Sequence, residues 1–380
     1  MKQRLLYITH HKLDENNGGC NASKGFLRCF AALFDEGTVI CHDMADARPY
    51  IPAQFKFCPM KDHRTKIRKL IDMYRGVISG HYYFVREHLR ANKYDVVVID
   101  HTFTAAGLPT YIKATGAKLI TIHHNVERDY LRDNSKEKPL LYRWPFLYFS
   151  KKAERDCLRL SDVNLTVTSH DAHVFKSWYQ DCPVFPWGIF EYQPTPAPVF
   201  TPQNDKHTFV ITGSLYFRQS IIPIIDFIKR YWPLVLQNLP DAKLIIAGRN
   251  PSEELKKAGA EAPGVTIIPN PEKIVHVIHL ANYYVCPIFT GSGLKLRNLD
   301  GLRRGLPILC HEVAANGYEN VAANGFLFAY HDETSFTEAL KQMTCASIDP
   351  EKVFQSYKDS FSQETGQKKL VEILRQEHIL

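Results

Sequence analysis

Residues 283–309 read YYVCPIFTGSGLKLRNLDGLRRGLPIL. An apolar run ends at Pro287-Ile288, a turn bracketed by Gly291 and Gly293 follows, and the pattern predicts a helix from about Leu294. Gly305-Leu306-Pro307 then stops that helix and starts another strand. Strand, tight turn, helix and strand again is the unit from which a parallel sheet is built. The same unit is an anion site, because glycines admit close backbone approach, first-turn N–H groups donate, and the helix dipole favours negative charge. Lys295 adds a whole positive charge. Asp300, seven residues past Gly293, is placed to accept hydrogen bonds from both hydroxyls of a ribose. As a set, Gly291, Ser292, Gly293, Leu294, Lys295 and Asp300 read as a nucleotide-diphosphate site.

Outward from this stretch, short apolar runs alternate with amphipathic ones, the mark of a mostly parallel sheet covered on both faces. In the first half strands are predicted near 4–9, 38–41, 95–100, 118–123 and 163–168, with helices near 23–33, 67–92 and 147–160. Six prolines between Pro183 and Pro202 exclude a helix or a central strand. Beyond them a second series of strands begins, near 207–212, 242–247, 265–268, 283–288 and 307–310. The expected organisation is therefore a domain over 1–190, a linker over 191–205, a second domain over 206–360, and a C-terminal helix over 361–380. A chain of 380 residues suits two α/β domains.

The content of 45% hydrophobic and 23% charged residues is that of an ordinary globular protein. The N-terminus reads as a first strand and not as a signal peptide, and no segment is apolar enough to span a membrane, so a cytoplasmic location is expected. The nine cysteines are scattered singly, without zinc or redox spacing. Ten Lys or Arg stand against three acids between Lys56 and Lys93, and the segment 61–77 reads as a basic amphipathic helix suited to the inner face of an anionic membrane. No nucleic-acid module accompanies that charge.

Gly291, Ser292, Gly293, Lys295, Arg297, Asp300, Gly305 and Pro307 resemble the C-terminal signature G-[ST]-G-x-K-x-[KR]-x-x-E-A-x-x-x-G-x-P of the retaining GT-B glycosyltransferases, the large family of sucrose and mannosyl transferases and bacterial surface-polysaccharide enzymes. His124-Asn125-Val126-Glu127, the strand edge from Ser161-Asp162 to Asp171, and Thr212-Gly213-Ser214-Leu215-Tyr216 agree with further elements of that family. The resemblance implies an α/β fold of GT-B type, two Rossmann-like doubly wound domains facing a cleft, and transfer of a sugar from a UDP- or GDP-type donor to a glycan acceptor, lipid-linked, with no cofactor.

It also implies roles. Lys295 neutralises the donor diphosphate; Gly291, Ser292, Gly293 and Leu294 approach phosphates and sugar; Asp300 holds the ribose. Gly213 opens the second domain's turn, and Gly18-Gly19 form a glycine loop after the first strand that closes over the donor phosphate. His124 faces the transferred sugar, and the leaving phosphate itself takes the acceptor's proton. Three departures stand out: Ser292 occupies the place of a frequent glutamate, Asp300 replaces the usual glutamate, and Ser214 takes the first place of a basic pair whose role passes to Arg218.

His10 and His11 follow the first strand and are candidate acceptor contacts. No metal centre is expected, because ligand spacings are not assembled around the histidines and no Asp-x-Asp is present. His123 reads as a packed strand-end histidine, and Glu127 as a cap or a partner of Arg128 or Arg132. A dinucleotide-dependent oxidoreductase would need G-x-G-x-x-G after a strand, which Gly18-Gly19 and Gly25 do not supply. The remaining alternatives are an inactive sugar-nucleotide-binding or scaffold protein of the same fold and a sugar-nucleotide epimerase.

Overall fold

A computed structural model describes residues 3–134, 139–198, 207–291 and 293–380. Ser292 of the diphosphate loop lies outside the described residues. The chain forms two compact units, Met1–Pro194 with Phe361–Leu380, and Thr195–Ser360.

The first unit holds β1 (Arg4–Thr9), β2 (Glu36–His42), β3 (Phe55–Met60), β4 (Val96–Asp100), β5 (Lys118–His123), β6 (Val163–Thr166) and β7 (Val184–Pro186). They pair in parallel in the order β3-β2-β1-β4-β5-β6-β7. Helices cover both faces of such a sheet, so its inner strands are apolar in unbroken runs. Leu5, Leu6, Tyr7 and Ile8 of β1 and Val96, Val97, Val98 and Ile99 of β4 have no exposed surface. The order reverses between β1 and β4, which opens a crevice at the carboxyl ends of those two strands.

Helix α1 (Gly18–Ala31) follows β1. The single helix expected over 67–92 is two, α2 (Lys66–Tyr74) and α3 (His81–Ala91), because Gly76 at φ 84° turns left-handed and cannot continue a right-handed helix. Two strands of this unit were not anticipated, nor was Leu327–Tyr330 in the second. β3 carries Lys56 and Pro59, and β7 ends on Pro186; both lie at sheet edges, where a missing N–H costs no ladder bond. After β7 the chain docks on the C-terminal segment, since Trp187 Nε1 donates to Gly366 O and Glu191 N to Phe361 O, each at 2.9 Å. The final helix, Gln363–Gln376, packs against α1.

The second unit holds β8 (Thr208–Ser214), β9 (Lys243–Arg249), β10 (Val265–Pro269), β11 (Tyr283–Cys286), β12 (Ile308–His311) and β13 (Leu327–Tyr330), all parallel, in the order β10-β9-β8-β11-β12-β13. Phe209, Ile211, Leu244, Ile246, Val285 and Leu309 fill the core against Trp232 and Phe336. Here the order reverses between β8 and β11. Gly213 lies near the end of β8, and the stretch 291–300 follows β11. Residues 78 positions apart in sequence thus meet at one crevice, where α/β sheets bind ligands.

Candidate active site

At the crevice of the second unit, Gly291 and Gly293 adopt φ of 88° and 71°. These left-handed residues keep the chain in a loop, so the helix expected from Leu294 begins only at Arg297 and runs to Leu302. Lys295 is therefore a loop residue. Its ammonium folds over the loop and donates to Gly291 O at 2.8 Å and to Gly293 O at 3.3 Å. The Lys295 carbonyl accepts the Tyr318 hydroxyl at 2.8 Å, which anchors the backbone independently of the side chain.

Gly213 comes so close to Arg297 that a Cβ there would lie 2.5 Å from the Arg297 Cζ. Only glycine admits this approach. Arg297 Nη2 donates to the Ser220 hydroxyl, while Nη1 is buried without a hydrogen-bond partner among the described residues. A buried guanidinium N–H left unpaired costs free energy that an anion would recover. Arg218, assigned to this place from the sequence, is the exposed first residue of the helix Arg218–Asp226. Asp300 lies in the first turn of the 297–302 helix, with Oδ1 3.8 Å from Arg303 Nη1. Loop, Lys295 and Arg297 together offer an anion two cations and close backbone.

At the crevice of the first unit, the ends of β1, β4 and β5 deliver His10 and His11, Asp100 and His101, and His123 and His124. Ring centroids of His10 and His11 are 4.1 Å apart, of His10 and His101 4.5 Å, of His11 and His124 5.2 Å, and of His101 and His124 5.1 Å. His124 Nε2 donates to Asp100 Oδ1 at 2.6 Å. His101 holds φ 82°, an uncommon conformation for a side-chain-bearing residue that the surrounding structure must enforce. Its Nδ1 accepts the Phe103 N–H at 3.2 Å, and its Nε2 faces Glu127 Oε1 at 3.0 Å. Glu127 thus pairs with His101, because β4 and β5 are neighbours and their loops converge. His123 is buried, with Nε2 2.9 Å from Asn164 Oδ1.

Burial pushes the His11 imidazole down to about 3 and His10 lower still, with the neighbouring histidines adding to the effect. Burial would raise Asp100, but His124 and then His11 hold it below the usual carboxylate range. Burial likewise opposes charge on His101 and on Glu127, and their mutual attraction outweighs it, raising the one and lowering the other. Gly18 and Gly19, expected as a loop, form the first turn of α1, whose Asn17 cap accepts the Cys20 N–H at 3.0 Å. A Cβ on Gly19 would fall 2.5 Å from His11 Cε1, so this glycine makes room for the histidine cluster.

The sequence did not single out Asp100, His101 or Glu154, and it gave Arg297 as a signature match without a role. Asp100 and His101 had one visible signal, polar residues at the carboxyl end of an apolar strand. Glu154 had none; it is 2% exposed, and its Oε1 accepts the Glu127 N–H at 2.6 Å. Burial raises its pKa to about 8. A folded pKa above the unfolded one gives stability that is complete below about pH 4 and lost as the pH rises to about 8. Glu154→Gln keeps an acceptor and cannot ionise. Its stability is expected to gain on the wild type by up to about 1.4 kcal/mol per pH unit across that window. Thermal melts that differ by the same amount at both ends would contradict this.

The family model described as "Glycosyl transferases group 1" matches residues 206–345. An uncharacterized 44.6 kDa protein in the cps region of Klebsiella pneumoniae is 27% identical over 272 residues, which is 65% of this chain and 66% of that protein, just short of two thirds of its length. Sucrose-phosphate synthase from Thermosynechococcus elongatus superposes with a TM-score of 0.68 at 11% identity, covering 99% of both chains. The structure of Anabaena HepE in complex with UDP and glucose gives 0.62 at 10% identity, covering 98% of this chain and 99% of that one. The expected α/β fold of GT-B type is the one observed, and its second unit carries the match to the group 1 glycosyltransferases.

Proposed function

We propose that this chain is a retaining hexosyltransferase that moves a sugar from a UDP- or GDP-type donor to a lipid-linked glycan acceptor in bacterial polysaccharide synthesis. The carrying observation is the crevice of the second unit, where Lys295 lies on the Gly291 and Gly293 carbonyls and Arg297 lies against Gly213. Two fixed cations do there what a diphosphate-bound metal would do elsewhere, neutralising the leaving group as its charge develops. Asp300 takes the ribose, and Gly291, Ser292, Gly293 and Leu294 the phosphates and sugar. In the first unit His124 meets the transferred sugar, and His10 and His11 the acceptor. The complex of HepE with UDP and glucose supports the class of donor, and the cps-region relative supports the class of product.

The reading is tested by thermal shift with UDP, GDP and ADP. A ligand at about 100 times its Kd adds about 2.7 kcal/mol to the folded state. UDP or GDP is expected to raise the melting temperature of the wild type and much less that of Arg297→Ala. No shift with any nucleotide diphosphate would count against the donor class.

An anionic membrane is the proposed partner of the first unit, at the cytoplasmic surface. No helix among the described residues is long and apolar enough to cross a membrane. The amphipathic α2, however, turns its apolar residues outward: Ile67 is 73% exposed, and beside it the helix Leu140–Leu160 starts with Leu141 81% and Trp144 69% exposed. Tyr74 Oη joins the two helices by donating to Leu141 O at 2.6 Å. Arg64 and Arg68 pair with the buried Asp72, and Lys69 with Asp62. Reversing those charges would strand a buried carboxylate, so the apolar face is the cleaner target. Ile67→Ser, Leu141→Ser and Trp144→Ser combined are expected to abolish flotation with vesicles rich in phosphatidylglycerol; undiminished flotation would exclude the contact.

A further inference from the structure

Sequence spacing argues against a metal centre, but spacing does not see ligands that come from two separate strand ends. His10 and His11 leave β1 and His101 leaves β4, and one ring nitrogen of each lies within 4.8 Å of the others. His10 Nδ1 and His11 Nε2 are buried without a hydrogen-bond partner among the described residues. Buried imidazole nitrogens with nothing to bind are uncommon, and two on rings only 4.1 Å apart call for a ligand. The two remaining requirements of a metal site are also present. His10 and His11 are only partly buried, which leaves an ion a way in, while His101 is held deeper. His101 is already oriented as a metal-binding histidine is, with Nε2 held by a carboxylate, Glu127, at 3.0 Å. Its Nδ1 is engaged, among the described residues, by the long 3.2 Å bond from Phe103 N that an ion would displace.

We infer that His10, His11 and His101 bind one borderline transition-metal dication of the zinc, cobalt or nickel class. Imidazole nitrogens select such ions over magnesium and calcium, which take oxygen ligands. Zinc–nitrogen bonds of about 2.0–2.1 Å place tetrahedral nitrogens about 3.4 Å apart. The cluster therefore closes by somewhat more than an ångström, within the reach of small side-chain rotations. Three protein ligands leave a fourth position, the arrangement of an open site, for an oxygen from water or a hydroxylated ligand. The ion stands beside the Asp100–His124 pair in the first unit; the diphosphate loop, whose charge is met by Lys295 and Arg297, belongs to the second. Metal binding does not depend on the proposed transfer reaction, so either can fail without the other.

The test uses chelator-treated full-length protein titrated with cobalt(II). One equivalent is expected to produce the visible ligand-field bands of a tetrahedral nitrogen site, bleached by zinc. His10→Ala and His11→Gln are expected to lose the bands, and Glu127→Gln to weaken binding by about 10- to 100-fold. The exposed pair His170→Ala/His173→Ala serves as control and is expected to titrate as the wild type. No saturable binding to the wild type would overturn the site, as would bands that persist in both His10→Ala and His11→Gln. Circular dichroism establishes which variants are folded, and Glu127→Gln, which leaves all three ligands in place, carries the test if the histidine variants are not.

Discussion

Lys295→Ala is expected to slow sugar transfer by roughly 100-fold or more, about 2.7 kcal/mol of transition-state stabilisation, while leaving the fold intact. As the glycosidic bond breaks, a third negative charge of the nucleotide diphosphate appears on the leaving oxygen, and a cation already in place gains most at that moment. Lys295 is held for this by its own loop, through Gly291 O at 2.8 Å and Gly293 O at 3.3 Å. Neutral carbonyls hold an ammonium loosely enough for an anion to take it over. Truncation should spare the structure, because Tyr318 binds the backbone carbonyl of residue 295 and not its side chain. The expected pattern is a fall in kcat larger than any rise in donor KM, with an unchanged melting temperature. Near-normal turnover of the folded variant would remove Lys295 from the chemistry.

That residue was legible in the sequence because everything that defines it is local. Strand, glycine turn and lysine lie within thirteen residues of one another, from Tyr283 to Lys295. The inner strands were legible for a similar reason, since a strand buried on both faces is an uninterrupted apolar run, as in Val96, Val97, Val98 and Ile99. The edge strands β3 and β7 were not, for their lysine and prolines are tolerated only because one side of each is unpaired. Arg297 shows the limit most clearly. The sequence assigns the cation beside Gly213 to Arg218, five residues along the same chain, whereas the fold brings Arg297 from 84 positions away across the β8–β11 switch. The histidine cluster is hidden in the same way. His10, His101 and His124 are separated by 91 and 23 residues, and only the order β1-β4-β5 makes them neighbours.

The same topology gives the second large effect. Asp100→Ala is expected to lower kcat by roughly 10- to 100-fold, the scale of a misplaced reacting group, with nucleotide binding unchanged because the diphosphate loop belongs to the other unit. Asp100 is fully buried at the end of β4 and accepts from His124 Nε2 at 2.6 Å. That bond fixes the ring's tautomer and tilt, leaving Nδ1 as the nitrogen available to a sugar hydroxyl. Edge contact with Phe26 and the neighbouring His11 and His101 rings then confine the ring from its other sides. Without the carboxylate, packing alone holds the ring, and packing does not choose a tautomer. Asp100 therefore acts as a positioning residue through His124. If so, Asp100→Ala and His124→Ala combined should be no slower than His124→Ala alone, because a group that has been removed cannot be misplaced. Asp100→Asn, which retains an oxygen to accept the Nε2 proton, should recover part of the rate. Additive losses in the double variant, together with an asparagine no better than alanine, would mean that Asp100 serves the fold and not the reaction.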